Sequence, residues 1–267
     1  MLEAGSVTWP WMPREDWTLV IAVVALFQKP IGWAIRRTFL RSSIAIEPTG
    51  QVEVGYSAAG PSVHLLGSMI SKRGDSFVRM IGLSVTRRSD GMTHAFRWRF
   101  FREQQMSSTD GQQTTLRLPA AFVVRESDSY SYNIVFIDEE TQAKLQSALV
   151  PLQTAWQKKL AGLLFPDSTP EQQAAARKAA YETFSKDPAH AQAVHLIDRM
   201  MYWEPGTYVI TAQIEIGRRR LKYQWQFSLG HDHCVLLQVN TMTAIQQVIG
   251  VNAQPTNVVY APYESVT

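Results

Sequence analysis

Cysteine is nearly absent from this sequence: Cys234 is the single thiol among 267 residues. An internal disulfide therefore cannot form, and the paired-cysteine motifs of zinc and redox sites are excluded. A reducing compartment is the simpler expectation for such a chain. The signature loops of nucleotide-binding proteins, zinc metalloproteases and serine hydrolases are also missing, since neither GxGxxG nor HExxH nor GxSxG occurs. These absences predict a protein that is not an enzyme and that needs no cofactor.

Neither sign of charge dominates the chain. Lysine and arginine number 26 against 23 aspartate and glutamate residues, which gives a net charge of +3 and a pI of about 9.0. This excess is too small to indicate nucleic-acid binding, but it suits a domain close to an anionic membrane surface. A mean hydropathy of −0.14 excludes a protein that crosses a membrane many times.

Long hydrophobic runs are also lacking, with one short exception near the N-terminus. Residues 17–27 are apolar apart from Thr18. As a helix this run would extend about 16 Å, against the roughly 30 Å thickness of the hydrocarbon core of a bilayer. Continuing the helix to Ile35 reaches about 28 Å but takes in the polar break at 28–30. The run is therefore a marginal membrane anchor.

Flanking residues favour a membrane role for this run. Acidic residues stand before it and basic residues after it, which is the asymmetry that places the following chain in the cytoplasm. Pro30 begins a second, basic amphipathic helix that would lie at the membrane surface. The residues predicted to anchor the chain are Trp17, Leu19, Val20, Ile21, Val23, Val24, Leu26 and Phe27. The residues predicted to contact lipid headgroups are Lys29, Arg36, Arg37 and Arg41.

Two other interpretations of the run stay open at this point. Apolar stretches this short are common in protein cores, so the run also fits a helix buried in a soluble domain. A signal peptide fits less well, because the preceding segment is acidic and no A-x-A cleavage site follows. The expected location is the inner membrane, with the rest of the chain in the cytoplasm; the alternative is a soluble cytoplasmic protein.

After Arg41 the hydrophobic pattern changes to the period of two that is typical of β-strands. Alternating residues predict strands near 52–56, 63–67, 81–86, 96–100, 115–118 and 133–137. A clear hairpin is predicted at 81–100 with its turn at 89–91, and a polar loop is expected at 103–114. The strongest local pattern predicts a hairpin at 208–229 with its turn at 217–220. Short antiparallel strands with regular turns predict an immunoglobulin-like β-sandwich.

Between these strand regions the period changes to 3.6 residues, which predicts helices. One helical stripe consists of Leu145, Leu149, Leu152 and Trp156. Pro151 is expected to kink or split this helix, and start signals at 168–171 and 187–188 predict two more. A last helix is predicted at 232–248, followed by an irregular tail. The residues expected to face inward from it are Leu236, Val239 and Ile245.

The expected fold class is therefore α+β. An N-terminal hydrophobic helix and basic helix at 1–41 precede the first part of the sandwich at 42–137. A helical insertion at 138–203 follows, and then a closing hairpin, helix and tail at 204–267. This layout, the segment SSIAIEPTGQVEVGYSAAGP and the motif WEPGTY at 203–208 resemble bacterial membrane-anchored β-sandwich proteins without an assigned activity. The resemblance implies an architecture and no catalytic residues.

One cluster of residues has the chemistry of a metal site. His231, Asp232, His233 and Cys234 carry donor atoms that suit a transition metal. In a strand both histidines would point the same way, as chelation requires. The cluster also stands where a strand passes into a helix, and there Asp232 is explained as a helix cap. Capping is the favoured explanation, so no metal is assigned.

The sequence thus predicts a non-enzymatic interaction or scaffold module that is tethered to the inner membrane for an unknown protein partner. Nucleic acid is not an expected partner, and a homo-oligomer is compatible with the sequence. One alternative is a soluble adaptor or assembly subunit that buries the hydrophobic helix; another is a metal-dependent enzyme using residues 231–234. Outward arginines, among them Arg88, Arg97 and Arg99, would add lipid contacts if their surfaces converge. For residues 218–220 protection of a sheet edge is the favoured explanation.

Overall fold

A computed structural model describes residues 44–72, 74–107, 111–161, 169–251 and 255–266 of the chain. The predicted anchor, the basic helix after it and their lipid-contacting residues all fall before Ile44 and lie outside the described residues. Within the described ranges, no helix combines the length and the apolar composition that crossing a bilayer requires. The transmembrane helix predicted from the sequence is not part of the described fold.

The strands form one antiparallel sheet. They are β1 (Ile44–Ser57), β2 (Gly60–Ser71), β3 (Ser76–Arg87), β4 (Thr93–Ser107), β5 (Gly111–Arg117), β6 (Phe122–Val124), β7 (Ser129–Ile137), β8 (Gly206–Ile216), β9 (Arg219–Leu229) and β10 (Val258–Ser265). Neighbours follow the order β4, β7, β2, β1, β10, β9, β8, β3, and β3 pairs with β4 again, so these eight strands close into a barrel. Outside the ring, β5 pairs with β4 and β6 pairs with β3.

The prediction of an immunoglobulin-like sandwich is therefore wrong. A sandwich consists of two sheets that each keep their edges, whereas here one sheet closes on itself. One strand of the closed sheet is β10, which lies in the tail that the sequence predicted to be irregular. Its residues Val259 and Ala261 are at most 3% exposed and pair with Val54 and Val52 of β1. The 206–229 hairpin joins this same sheet, between β3 and β10.

Large apolar side chains fill the inside of the barrel. They alternate with outward residues along each strand, as a closed sheet with one buried face requires. Side chains that are at most 1% exposed include Val52, Val54, Val63, Phe136, Ile210 and Phe227. The strand register places Val63 between Val54 and Phe136, so these side chains share the inner face. The interior is thus a packed core, and a ligand has to bind elsewhere.

Four helices in the described part of the chain gather at one end of the barrel. They are α1 (Glu139–Ala161), α2 (Pro170–Phe184), α3 (Pro188–Met200) and α4 (His231–Val248). α1 directly follows β7, α3 leads into β8, and α4 connects β9 with β10. The Tyr56 hydroxyl donates to the carbonyl of Ile197 at 2.7 Å, and the Trp203 indole donates to the carbonyl of Gly55 at 3.2 Å. Buried hydrogen bonds therefore fasten the helices to the end of β1.

The helix start signals act locally, as predicted. Thr169 accepts a hydrogen bond from the Gln172 amide at 3.3 Å, and Asp187 accepts one from the Ala189 amide at 2.9 Å. The predicted stripe of α1 is buried, with Leu145, Leu149, Leu152 and Trp156 each at most 2% exposed. Pro151 does not split α1, which continues to Ala161.

The inward face of α4 differs from the prediction. Ile245 is buried as expected, but Leu236 and Val239 are 40% and 56% exposed. The residues that α4 buries are Cys234, Leu237, Asn240, Thr241, Ala244 and Ile245. Because apolar residues stand on most sides of this helix, hydrophobicity alone does not identify its buried face.

Gly67 occupies a place in β2 where a side chain does not fit. An added Cβ would lie 2.6 Å from the carbonyl oxygen of Glu47 and 2.9 Å from Cα of Pro48. Because these are backbone atoms, Gly67→Ala is expected to lower the free energy of unfolding by about 1–3 kcal/mol in a urea titration. Gly82→Ala is the matched control in β3, since its nearest neighbour is 4.0 Å away. Equal losses in the two variants would contradict this interpretation.

Candidate functional site: a basic groove in the barrel wall

The wall of the barrel opens between β3 and β4. Their ladder starts near the turn that joins them and ends at the pair Gly82–Arg97. Beyond this pair, β3 turns to β6 and β4 turns to β5. Residues 79–81 of β3 and 98–100 of β4 face each other between these ladders, and among the described pairings neither stretch has a partner on that side. A gap results, and the connection at 118–121 borders it.

A groove of about 850 Å³ lies at this gap. Its volume is within the range of about 300–1,000 Å³ that is usual for ligand sites. Phe96 and Trp98, which are both buried, line its base, and polar groups of β3 and β8 line one wall. Two apolar side chains stand at its border and are largely in solvent, because Met80 is 54% exposed and Leu118 is 75% exposed. The groove therefore offers apolar contact area that no described residue covers.

Positive charge surrounds the groove. Arg97 Nε lies 3.1 Å from one carboxylate oxygen of Glu139, and Arg99 Nη1 lies 3.4 Å from the other. One carboxylate thus faces two guanidinium groups, and Arg79 lines the same groove. The Arg97 side chain is 77% exposed, and ion pairs in such positions contribute only about 0–1 kcal/mol. Both arginines are therefore available to an anionic group that enters the groove.

Other predicted basic residues lie elsewhere. Arg97 and Arg99 point outward from β4, as the alternation predicted. Arg88 follows β3 at the end of the barrel where the helices gather, and its amide donates to the carbonyl of Thr207. Residues 218–220 lie at the turn between β8 and β9 and at the start of β9, at the opposite end, where Arg220 Nε lies 2.8 Å from Glu215. The basic surfaces therefore do not converge on one lipid-facing patch within the described residues.

The four residues at 231–234 all belong to the first turn of α4. Gly230 occupies the N-cap position, rather than Asp232, and its amide donates to His233 Nδ1 at 3.3 Å. His231 and His233 are separated by about 200° around the helix axis, so they point apart. Burial raises the pKa of the Cys234 thiol, which keeps it protonated. No cluster of three potential metal ligands occurs in the described ranges of the chain.

Two buried polar clusters were missed by the sequence reasoning. At the start of α1, the Asp138 carboxylate accepts hydrogen bonds from the Thr141 amide at 3.0 Å and the Thr141 hydroxyl at 2.8 Å. The Tyr202 hydroxyl donates to the same carboxylate at 3.3 Å, and His94 Nδ1 lies 3.4 Å away. Burial acts to raise the pKa of Asp138, but the hydrogen bonds from His94 and Thr141 outweigh it and lower the pKa to about 2.

The second cluster lies on the outer side of β1 and β2. Glu53, which is 2% exposed, has one carboxylate oxygen 2.7 Å from His64 Nδ1. Arg102 Nη1 donates to both carboxylate oxygens at 3.0 Å. Burial acts to raise the pKa of Glu53, but His64 and Arg102 outweigh it and the pKa is lowered. No sequence pattern predicts this cluster, because its residues come from three strands that only the folded sheet brings together.

The first cluster, around Asp138, has no room for a substrate. The cavity beside His94 measures about 10 Å³, which is about the space of one water molecule. Both carboxylates are held ionised by their partners, one as a helix cap and one as an ion pair. Their arrangement accounts for stability and does not require catalysis.

Comparison of the chain with protein-family models, with curated proteins and with solved structures found no match. The groove between β3 and β4 is therefore interpreted from its own chemistry. Its described lining contains arginines, one carboxylate, amide and hydroxyl side chains and apolar residues, but neither histidine nor cysteine. The one carboxylate, Glu139, lies beside Arg97 and Arg99. This composition is suited to binding.

Proposed function

We propose that the protein is a non-enzymatic interaction module, and that the groove between β3 and β4 binds a segment of a partner protein. The observation that carries the proposal is the gap in the barrel wall, where strand stretches without a ladder partner border a groove of about 850 Å³. Exposed strand edges of this kind readily pair with another chain unless they are protected. The exposed Met80 and Leu118 add the apolar contact that a partner would bury.

We further place this module at the cytoplasmic face of the inner membrane. The support is in the sequence before the barrel, where Lys29, Arg36, Arg37 and Arg41 follow the apolar run. Basic residues near an anionic surface contribute roughly 1 kcal/mol each to attachment. A full chain that stays in the soluble fraction at low salt would contradict this location but leave the groove proposal intact.

The groove proposal is tested by reversing two charges. A tagged full chain carrying Arg97→Glu and Arg99→Glu is expected to recover a partner about tenfold less efficiently than wild type after cross-linking in cells, because carboxylates replace the basic border. Cross-linked protein is quantified by mass spectrometry, and circular dichroism checks that the variant is folded.

The matched control carries Arg218→Glu and Arg219→Glu, which makes the same change of charge at two residues beside the β8–β9 turn that do not line the groove. This variant is expected to recover the partner as wild type does. If both double variants lose the partner equally, net charge explains the result and the groove is not the binding site.

A further inference from the structure

We infer that the occupant of the groove is an extended acidic peptide, which pairs with the open edges of β3 and β4 as an added strand. This inference rests on the proposed function, since it gives the chemistry of the partner segment for the same groove. Three features support it: the unpaired edges, the spacing of the arginines and the closed base of the groove.

Among the described pairings, the two strand stretches that border the gap are each paired along one edge only. Within β3, Met80 and Ile81 pair with β8. Within β4, Trp98 and Phe100 pair with β7. Successive residues of an antiparallel strand direct their N–H and C=O groups alternately to the two sides, so part of these backbone groups face the groove. An extended peptide is a ligand that can pair with such groups along its length.

Strand irregularities coincide with the gap. The register of β3 against β8 shifts between Val78 and Met80, and the register of β4 against β7 shifts between Trp98 and Phe100. Bulges bend a strand and end its pairing, and they are common beside binding sites. Two bulges on the two facing strands therefore separate the edges and keep them from closing the ladder with each other.

Arginine spacing indicates acidic residues at alternate positions of the peptide. Arg97 and Arg99 are two residues apart on β4, and both contact the Glu139 carboxylate, so both project from the same face of the sheet despite the bulge. Side chains of an added strand share this alternation, and carboxylates two residues apart would meet these two guanidinium groups. Next to them, Met80 and Leu118 fit one apolar side chain.

The base of the groove limits the size of the peptide side chains that point toward the barrel. Side chains of the added strand that point toward the barrel would meet Phe96 and Trp98, which fill the interior. Those positions therefore require small residues such as alanine. The unpaired edge of β3 covers residues 79–81, about 10 Å in an extended strand, and the groove continues along residues 82–84, which are paired with β4. A peptide of five residues with the pattern acidic–small–acidic–small–apolar can pair over the unpaired stretch and extend along the rest of the groove.

The test uses the purified full chain and a fluorescein-labelled peptide of sequence GEAEALG, followed by fluorescence anisotropy. Saturable binding of this peptide is expected. A peptide with lysine in place of glutamate is expected to bind at least about tenfold more weakly, because like charges then meet. A third peptide keeps the GEAEALG side chains but carries N-methyl groups on alternate backbone amides, and it is also expected to lose about tenfold, since it cannot donate to a strand along its methylated edge.

The charge-reversal variants complete the test. Arg97→Glu with Arg99→Glu is expected to abolish binding of the glutamate peptide, whereas Arg218→Glu with Arg219→Glu should retain it. Equal binding of the N-methylated peptide overturns strand addition. Saturable binding of oleate without binding of the peptide overturns it as well and assigns the groove to an anionic amphiphile.

Failure of this inference is distinguishable from failure of the proposed function. If the groove variant loses the cross-linked partner but wild type does not bind GEAEALG, the module binds a segment of different chemistry. If the groove variant keeps its cross-linked partner, the groove itself is not the interaction site.

Discussion

Trp203→Ala is expected to lower the free energy of unfolding by about 3–5 kcal/mol, the range seen when a large buried aromatic side chain is truncated. Trp203 is 1% exposed, and its ring lies 5.5 Å from that of Tyr208 and 6.2 Å from that of Phe96. Its indole also donates to the carbonyl of Gly55. The substitution therefore leaves a cavity and an unpaired carbonyl at the junction between the helices and the barrel.

Urea titration followed by circular dichroism measures this loss. Trp203→Phe serves as the comparison, because it keeps most of the packing and removes only the indole hydrogen bond and part of the volume. It is expected to cost about 1–2 kcal/mol. A Trp203→Ala variant within 1 kcal/mol of wild type would show that the junction relaxes around the missing side chain.

Asp138→Asn is expected to lower the free energy of unfolding by about 2 kcal/mol at pH 7. The folded pKa of about 2 lies below the ordinary value of 3.8. The ionised carboxylate therefore stabilises the fold above the unfolded pKa, and this contribution is lost as the pH falls from about 4 toward 2. In the asparagine variant, the same pH interval should show a correspondingly smaller loss of stability.

Asp187→Asn is the matched control, since Asp187 is also an N-cap and accepts one backbone hydrogen bond, from Ala189. Asparagine caps helices about as well as aspartate, so this change should leave stability nearly unaltered. Urea titrations from pH 2 to pH 7 compare the variants. An Asp138→Asn protein with the wild-type pH dependence would contradict the role assigned to the charge.

Local elements were accessible from the sequence because each depends on neighbours in the chain. The 206–229 hairpin has strict alternation around a glycine turn, and α1 has a repeating apolar stripe. The WEPGTY motif also acts locally: the Tyr208 hydroxyl donates to the Glu204 carbonyl at 2.8 Å and accepts from the Glu204 amide at 2.9 Å. The motif was noted in the sequence, but this role was not.

Closure of the sheet into a barrel could not be predicted from the sequence in the same way. Alternating apolar residues satisfy a sandwich and a barrel equally, because each has one buried face. Only the pairing of β1 with β10 and of β3 with β4 distinguishes the two, and the first of these joins residues about 200 positions apart. β10 also lacks a clear alternation of apolar and polar residues, since its outward Tyr260, which is 54% exposed, is aromatic.

Part of the groove could be predicted from the sequence. Arg97 and Arg99 were predicted to face outward, and both do. The gap beside them depends on bulges in two strands, which shift the register by one residue without a glycine or proline at the site. The basic border of the groove could therefore be predicted from the sequence, but the gap between β3 and β4 could not.

The pairing of β1 with β10 also constrains how the chain is made. Translation produces β1 early and β10 late, so a growing chain holds β1 and β9 with open edges until Val258–Ser265 has left the ribosome. Contacts between distant segments form slowly, and unpaired edges invite association with other chains during that interval. We therefore expect the unfinished barrel to depend on chaperones until β10 has been synthesised. Pairing of β10 with β1 and β9 then completes the fold.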